Sequence, residues 1–111
     1  MMQGQRFTEK DWKLFRKKAV DWQEAHMDKL NKEYIELLSR DMNPADKFWE
    51  LEKRVRKDKK GAGVQLDMRR SVLIDNLVSL IDEGVIHFAD LEGFSDELKE
   101  TVKIFIERRI F

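Results

Sequence analysis

Cysteine is absent from the 111 residues, so no disulfide framework, thiolate nucleophile or cysteine-based metal site is available. A fold without such staples rests on its apolar core, and this length suffices for one domain, 1–111, that has one. Proline occurs once, at Pro44, and neither proline nor glycine lies between Gly4 and Pro44. Nothing in that interval breaks a helix once it has started. Long apolar runs are missing too: the longest fall far short of the about 20 residues that span a bilayer. Met1-Met2-Gln3-Gly4-Gln5-Arg6 has no apolar stretch of the signal-peptide kind and reads as a disordered tail, 1–6. A soluble, cytoplasmic protein without a membrane partner is expected. Net charge is the last absence, since 22 basic and 22 acidic side chains cancel.

Charge is nevertheless abundant. Charged residues make up 40% of the chain against 41% apolar, which suits helices with solvated outer faces. The cancellation is also uneven. Residues 1–42 carry nine basic and eight acidic groups, residues 43–63 seven and four, and residues 64–111 six and ten. The middle is basic and the C-terminal half acidic.

Periodicity predicts an all-α fold, a small helical bundle organised around one long N-terminal helix over about 8–41. Thr8 is the expected N-cap, with Glu9 and Asp11 in the first turn, where the helix dipole favours acids. Trp12, Phe15, Ala19, Trp22, His26, Leu30, Tyr34 and Leu38 recur at steps of three and four and form an apolar stripe. Asn43 and Pro44 open a second helix, about 44–59, with Phe48, Leu51, Val55 and the adjacent Trp49 expected to pack back on the first as an αα-hairpin. A third helix is predicted over about 64–83, ended by Gly84 and carrying Leu66, Leu73, Leu77, Leu80 and Ile81 along one side. A short turn follows at 89–92. Ser95 then caps a fourth helix, about 96–109, with Leu98, Val102, Phe105 and Ile106 inward. Phe88, Leu91 and Phe94 are expected to plug the end of the bundle.

No pattern discloses a chemistry. His26 and His87 stand outside His-Glu-x-x-His and Glu-x-x-His, which argues against a zinc or di-iron site. His26, on the apolar stripe, reads as a hydrogen-bonded interface or core histidine. Acidic pairs such as Glu24 and Asp28 share a helical face, as they do on most charged helices, without a general acid–base geometry. The four serines lack a nucleophile-elbow context. A helix-turn-helix over 81–98 would set Asp90 and Glu92 against phosphate, the wrong sign. No enzyme and no cofactor are expected.

Two surfaces stand out. The run Lys53, Arg54, Arg56, Lys57, Lys59 and Lys60, continued by Arg69 and Arg70, could contact phosphate; hydrated cations at a helix C-terminus are the plainer reading. Gly61-Ala62-Gly63 lacks the rest of a phosphate-binding loop and reads as a flexible link. The second surface is the stripe. A helix over 8–41 would be about 50 Å long, whereas a compact domain of this size is near 35 Å across. Part of the stripe would then stay in water, and Trp12, Phe15, Trp22, His26, Leu30 and Tyr34 become the candidate surface for a homodimer or an unknown protein partner. A bend near His26 would be the alternative.

Three passages carry a resemblance: Phe7-Thr8-Glu9-Lys10-Asp11-Trp12-Lys13-Leu14-Phe15, the run from Asp58 to Ser71, and Asp90-Leu91-Glu92-Gly93-Phe94-Ser95-Asp96-Glu97-Leu98. Together they resemble short, uncharacterised bacterial proteins that sometimes carry a "multidrug transporter" label. The resemblance implies a small bacterial protein and brings no site residues. Transport itself is set aside, because the sequence has no segment able to cross a membrane. The expected function is a non-enzymatic protein–protein interaction module, a homodimeric adaptor or regulator, with a nucleic-acid-associated regulator using 53–70 as the alternative.

Overall fold

The computed structural model describes residues 6–108. Among them the architecture is all-helical: α1 (Glu9–Leu38), α2 (Pro44–Asp58), α3 (Leu73–Asp82) and α4 (Asp96–Arg108), with 3-10 turns at Arg70–Val72 and Phe88–Leu91. The expected tail, apart from Arg6, and the expected last residue of the fourth helix lie outside the described residues. No helix among the described residues is long and apolar enough to cross a membrane.

The start of α1 is fixed by a reciprocal cap. The Asp11 backbone N–H donates to Thr8 Oγ1 at 3.0 Å, and the Thr8 N–H donates to Asp11 Oδ2 at 3.0 Å. The helix then runs unbroken to Leu38, three residues short of the expected end. There Ser39 turns its hydroxyl back onto the Ile35 carbonyl at 2.8 Å, and the chain swings into the Asn43 cap of α2.

The predicted third helix is shorter than expected. Residues 64–69 are not helical, and α3 begins only at Leu73. Hydrogen bonds from residues distant in sequence hold this segment as a strap. Gln23 Nε2 donates to the Ala62 carbonyl at 3.2 Å, and the Ala62 N–H donates to Glu83 Oε1 at 2.8 Å. Asn76 Nδ2 reaches back to the Asp67 carbonyl at 2.8 Å. Ala62 and Gly63 are buried, so the expected flexible link is a pinned crossing over α1. Gly63 allows it: a Cβ there would overlap the His26 ring. At the far end, Gly84 takes φ +75° and stops α3 as expected.

The molecule has two parts along α1. In the first, Trp12, Phe15 and Ala19 pack with Leu73, Leu77 and Leu80 of α3, Leu91 and Phe94 of the turn region, and Leu98 and Val102 of α4. Phe88, expected in that plug, is exposed instead. In the second, α2 lies against the C-terminal half of α1, and Leu30 and Leu37 are buried outside the main cluster. The two parts sit end to end, and the molecule extends 59 × 32 × 23 Å.

Candidate functional site

The stripe on α1 is the core of the molecule and not a free surface. Trp12 is 8% exposed, Phe15 0% and Leu30 8%, while Trp22, His26 and Tyr34 are half-buried. The expectation of a bare stripe assumed a rounded domain. Instead α3 and α4 cover the N-terminal half of α1 and α2 the C-terminal half, so the chain clothes a 45 Å helix by being elongated (30 residues at about 1.5 Å each). No bend at His26 is needed, and α1 is continuous through it. His26 instead packs its ring against Gly63 of the strap.

The basic segment is divided in the fold. Arg54 pairs with Glu33 at 2.8 Å, and Arg70 pairs with Glu9 at 2.6 Å while lying over the Trp12 ring. Glu33 and Glu9 are about 36 Å apart along α1, so 53–60 and 69–70 do not form one patch. Arg56 pairs with Glu52, and Arg69 folds onto Asp67, with Nε–Oδ2 at 2.8 Å. Four of the eight candidate cations are thus committed to carboxylates of the same chain. Lys53, Lys57, Lys59 and Lys60 remain exposed on or just beyond α2.

What stays open is one side of the α1–α2 hairpin. The two helices are clasped on their shared face: Tyr34 donates its hydroxyl to Asp58 Oδ2 at 2.6 Å, and the Arg54 guanidinium lies over the Tyr34 ring. Burial, then the bond to Asp58 and its charge, push the Tyr34 phenol up to about 12. Despite this clasp α2 has no buried residue. Phe48 and Trp49, expected in the core, are 61% and 63% exposed and pack edge-on against one another. The reason is position. Among the described residues no third helix packs on α2 past the clasp, and the aromatic pair is left exposed. Phe48, Leu51, Val55 and Lys59 line one shallow groove, of about 380 Å³. Met27, Asn31 and Tyr34 line a second, of about 190 Å³, with Val55 and Lys59 again on its far wall. The shared residues make the two grooves one continuous side of the hairpin.

Sequence reasoning missed this side because it assigned Phe48 and Trp49 to the core on apolarity alone. No signal in the sequence separated them from the core, because which helices meet the hairpin end is decided by tertiary packing. The surface can hold another protein by apolar contact. Among the described residues no group of three or more His, Asp or Glu is placed to hold a metal ion. Family models, curated proteins and solved structures were compared with the chain, and none matches.

Proposed function

We propose that this chain is a non-enzymatic protein–protein interaction module, an adaptor or regulator that works through the open side of the α1–α2 hairpin. One observation carries the reading: a 15-residue helix buries none of its residues and presents a Phe48–Trp49 pair to solvent. Exposed contiguous apolar surface of this kind marks association sites, and aromatic residues dominate the energetics of such contacts. The nucleic-acid alternative is weaker, because its basic segment is split and half of its cations already have carboxylate partners.

A photo-crosslinking residue at position 49, expressed in the source cell, tests the reading. Discrete protein adducts are expected there and not from position 103 on α4, which is exposed but not apolar. Equal or absent labelling at the two positions would overturn it. For the alternative, tight binding of duplex or single-stranded nucleic acid at physiological salt, abolished by Lys57→Glu with Lys60→Glu, would put phosphate contact first.

A further inference from the structure

The open side of the hairpin has the pattern of an unfilled seam. At about 100° per residue, the positions of α2 and its C-cap that face it are Ala45, Phe48, Glu52, Val55 and Lys59. Their alternating spacing of three and four is that of a coiled-coil seam. It is a second seam, since Asp58 and Arg54 already face α1. On α1 the matching flank, turned away from buried Leu30 and Leu37, carries Met27, Asn31, Ile35 and Leu38. Two antiparallel helices, each with one seam filled and one empty, are half of a four-helix bundle.

The distribution of charge along this side identifies the other half. Near the turn between the helices it is apolar, with Leu38, Phe48 and Trp49 exposed. At the opposite end α1 carries the exposed acids Glu24 and Asp28, the latter also paired with Lys32 at 3.0 Å, while Lys59 and Lys60 are exposed just beyond α2. The pairs Glu33–Arg54 and Tyr34–Asp58 fix the register and set Asp28 near the level of Lys59 and Lys60, with Glu24 one helical turn further on. A two-fold axis running parallel to the hairpin places α1 of one copy opposite α2 of the other at an unchanged level. Acids then meet bases, and the apolar ends meet each other. An axis across the hairpin would instead set α1 on α1 and α2 on α2 with their levels reversed, so that the acids of α1 face its own apolar end and charge is buried without a partner, which is costly. α2 is about 22 Å long and two helices are about 20 Å wide. Two such faces remove at least about 900 Å² of surface, before side-chain relief is counted, close to the about 1,000 Å² at which specific interfaces begin.

We infer that the open side of the hairpin is the docking surface for a second copy of this chain, with two hairpins packed about a parallel two-fold axis as a four-helix bundle. The inference rests on the interaction-module reading and names the partner of that same surface. Light scattering after size exclusion, at tens of micromolar, should give twice the 13.3 kDa chain mass. Phe48→Asp with Trp49→Asp should halve that mass, whereas Ile104→Asp, at an exposed apolar position on α4, should leave it unchanged. Circular dichroism confirms that each variant stays helical. Glu24→Lys with Asp28→Lys, or Lys59→Glu with Lys60→Glu, should each weaken the dimer by roughly tenfold or more through like-charge contact. All four substitutions in one chain should restore it, because the swapped charges again face each other across the axis. A wild-type monomer, a dimer that survives loss of the aromatic pair, or failure of the four-fold variant to recover would overturn the proposal. Adducts from position 49 to a different protein, with the chain itself monomeric, would refute the second copy and leave the interaction module standing. Neither adducts nor a dimer would refute both.

Discussion

Asp11 is a buried carboxylate on which two helix starts meet. Its sequence context shows only a first-turn acid in Thr8-x-x-Asp11, a cap pattern. In the fold it is 2% exposed and joins the starts of two helices: Ser95 donates its backbone N–H to Oδ1 at 2.8 Å and its hydroxyl to Oδ2 at 2.6 Å. Ser95 in turn accepts from the Leu98 N–H and caps α4. Both helix N-termini therefore point their positive ends at one carboxylate. Burial opposes its charge, but the bonds from Ser95 and Thr8 outweigh burial and hold the carboxyl below its ordinary value of 3.8. Asp11→Ala leaves buried donors at both helix starts without acceptors and should cost about 3 kcal/mol, read from the urea midpoint. The pH dependence has a definite sign. Because the folded group titrates below 3.8, its stabilisation is complete above that value and is lost as pH falls through the lower folded value. Asp11→Asn should therefore remove part of the wild-type loss of stability below about pH 4. An unchanged acid limb in the variant would show that Asp11 carries no such linkage.

At the scale of elements, periodicity located all four helices but not what lies between them. The Thr8, Asn43 and Ser95 caps and the Gly84 stop were legible because each is a local event, settled by residues three or four apart. The strap was not legible, because its conformation is set by partners distant in sequence: Gln23, His26, Asn76 and Glu83. No glycine or proline interrupts 64–83, so helical spacing could be traced through Leu66 into a segment that tertiary contacts keep out of helix. Gly63→Ala tests that account. The added methyl meets the His26 ring and should destabilise by about 1–3 kcal/mol. His26→Ala in the same chain should cost less than the two single effects summed, since it vacates the space. The hairpin clasp has a spectroscopic reporter, because Tyr34 is the sole tyrosine. Its tyrosinate absorbance should titrate near 12, and Asp58→Asn should move that midpoint back toward 10.0. Stability owed to this phenol is present below pH 10.0 and lost as pH rises through about 12. A midpoint indifferent to Asp58 would show that the two side chains do not interact in solution.

The whole molecule is where the sequence misled most, and for one reason. A rounded domain of 111 residues cannot cover the long first helix, which made the Trp12–Tyr34 stripe look bare. An elongated one can, and it transfers the exposure from α1 to α2. The same division makes the two parts unequal in stability. The part built on Phe15, Leu73, Leu77, Leu80, Leu98 and Val102 has a continuous core, whereas the hairpin has Leu30, Leu37 and a polar clasp. Opening α2 exposes little apolar surface and breaks no contact of the main cluster, so it should precede global unfolding. Native-state hydrogen exchange at low micromolar concentration should show amides of α2 exchanging well before those of α3 and of the N-terminal half of α1. Raising the concentration should slow α2 selectively, because a second copy seated on the hairpin binds only its closed form and stabilises it by mass action. In the Phe48→Asp, Trp49→Asp chain that dependence on concentration should vanish while protection of α3 stays the same. Equal protection of α2 and α3 at every concentration would show that the two parts unfold as one unit, and that the open hairpin side owes nothing to a second copy.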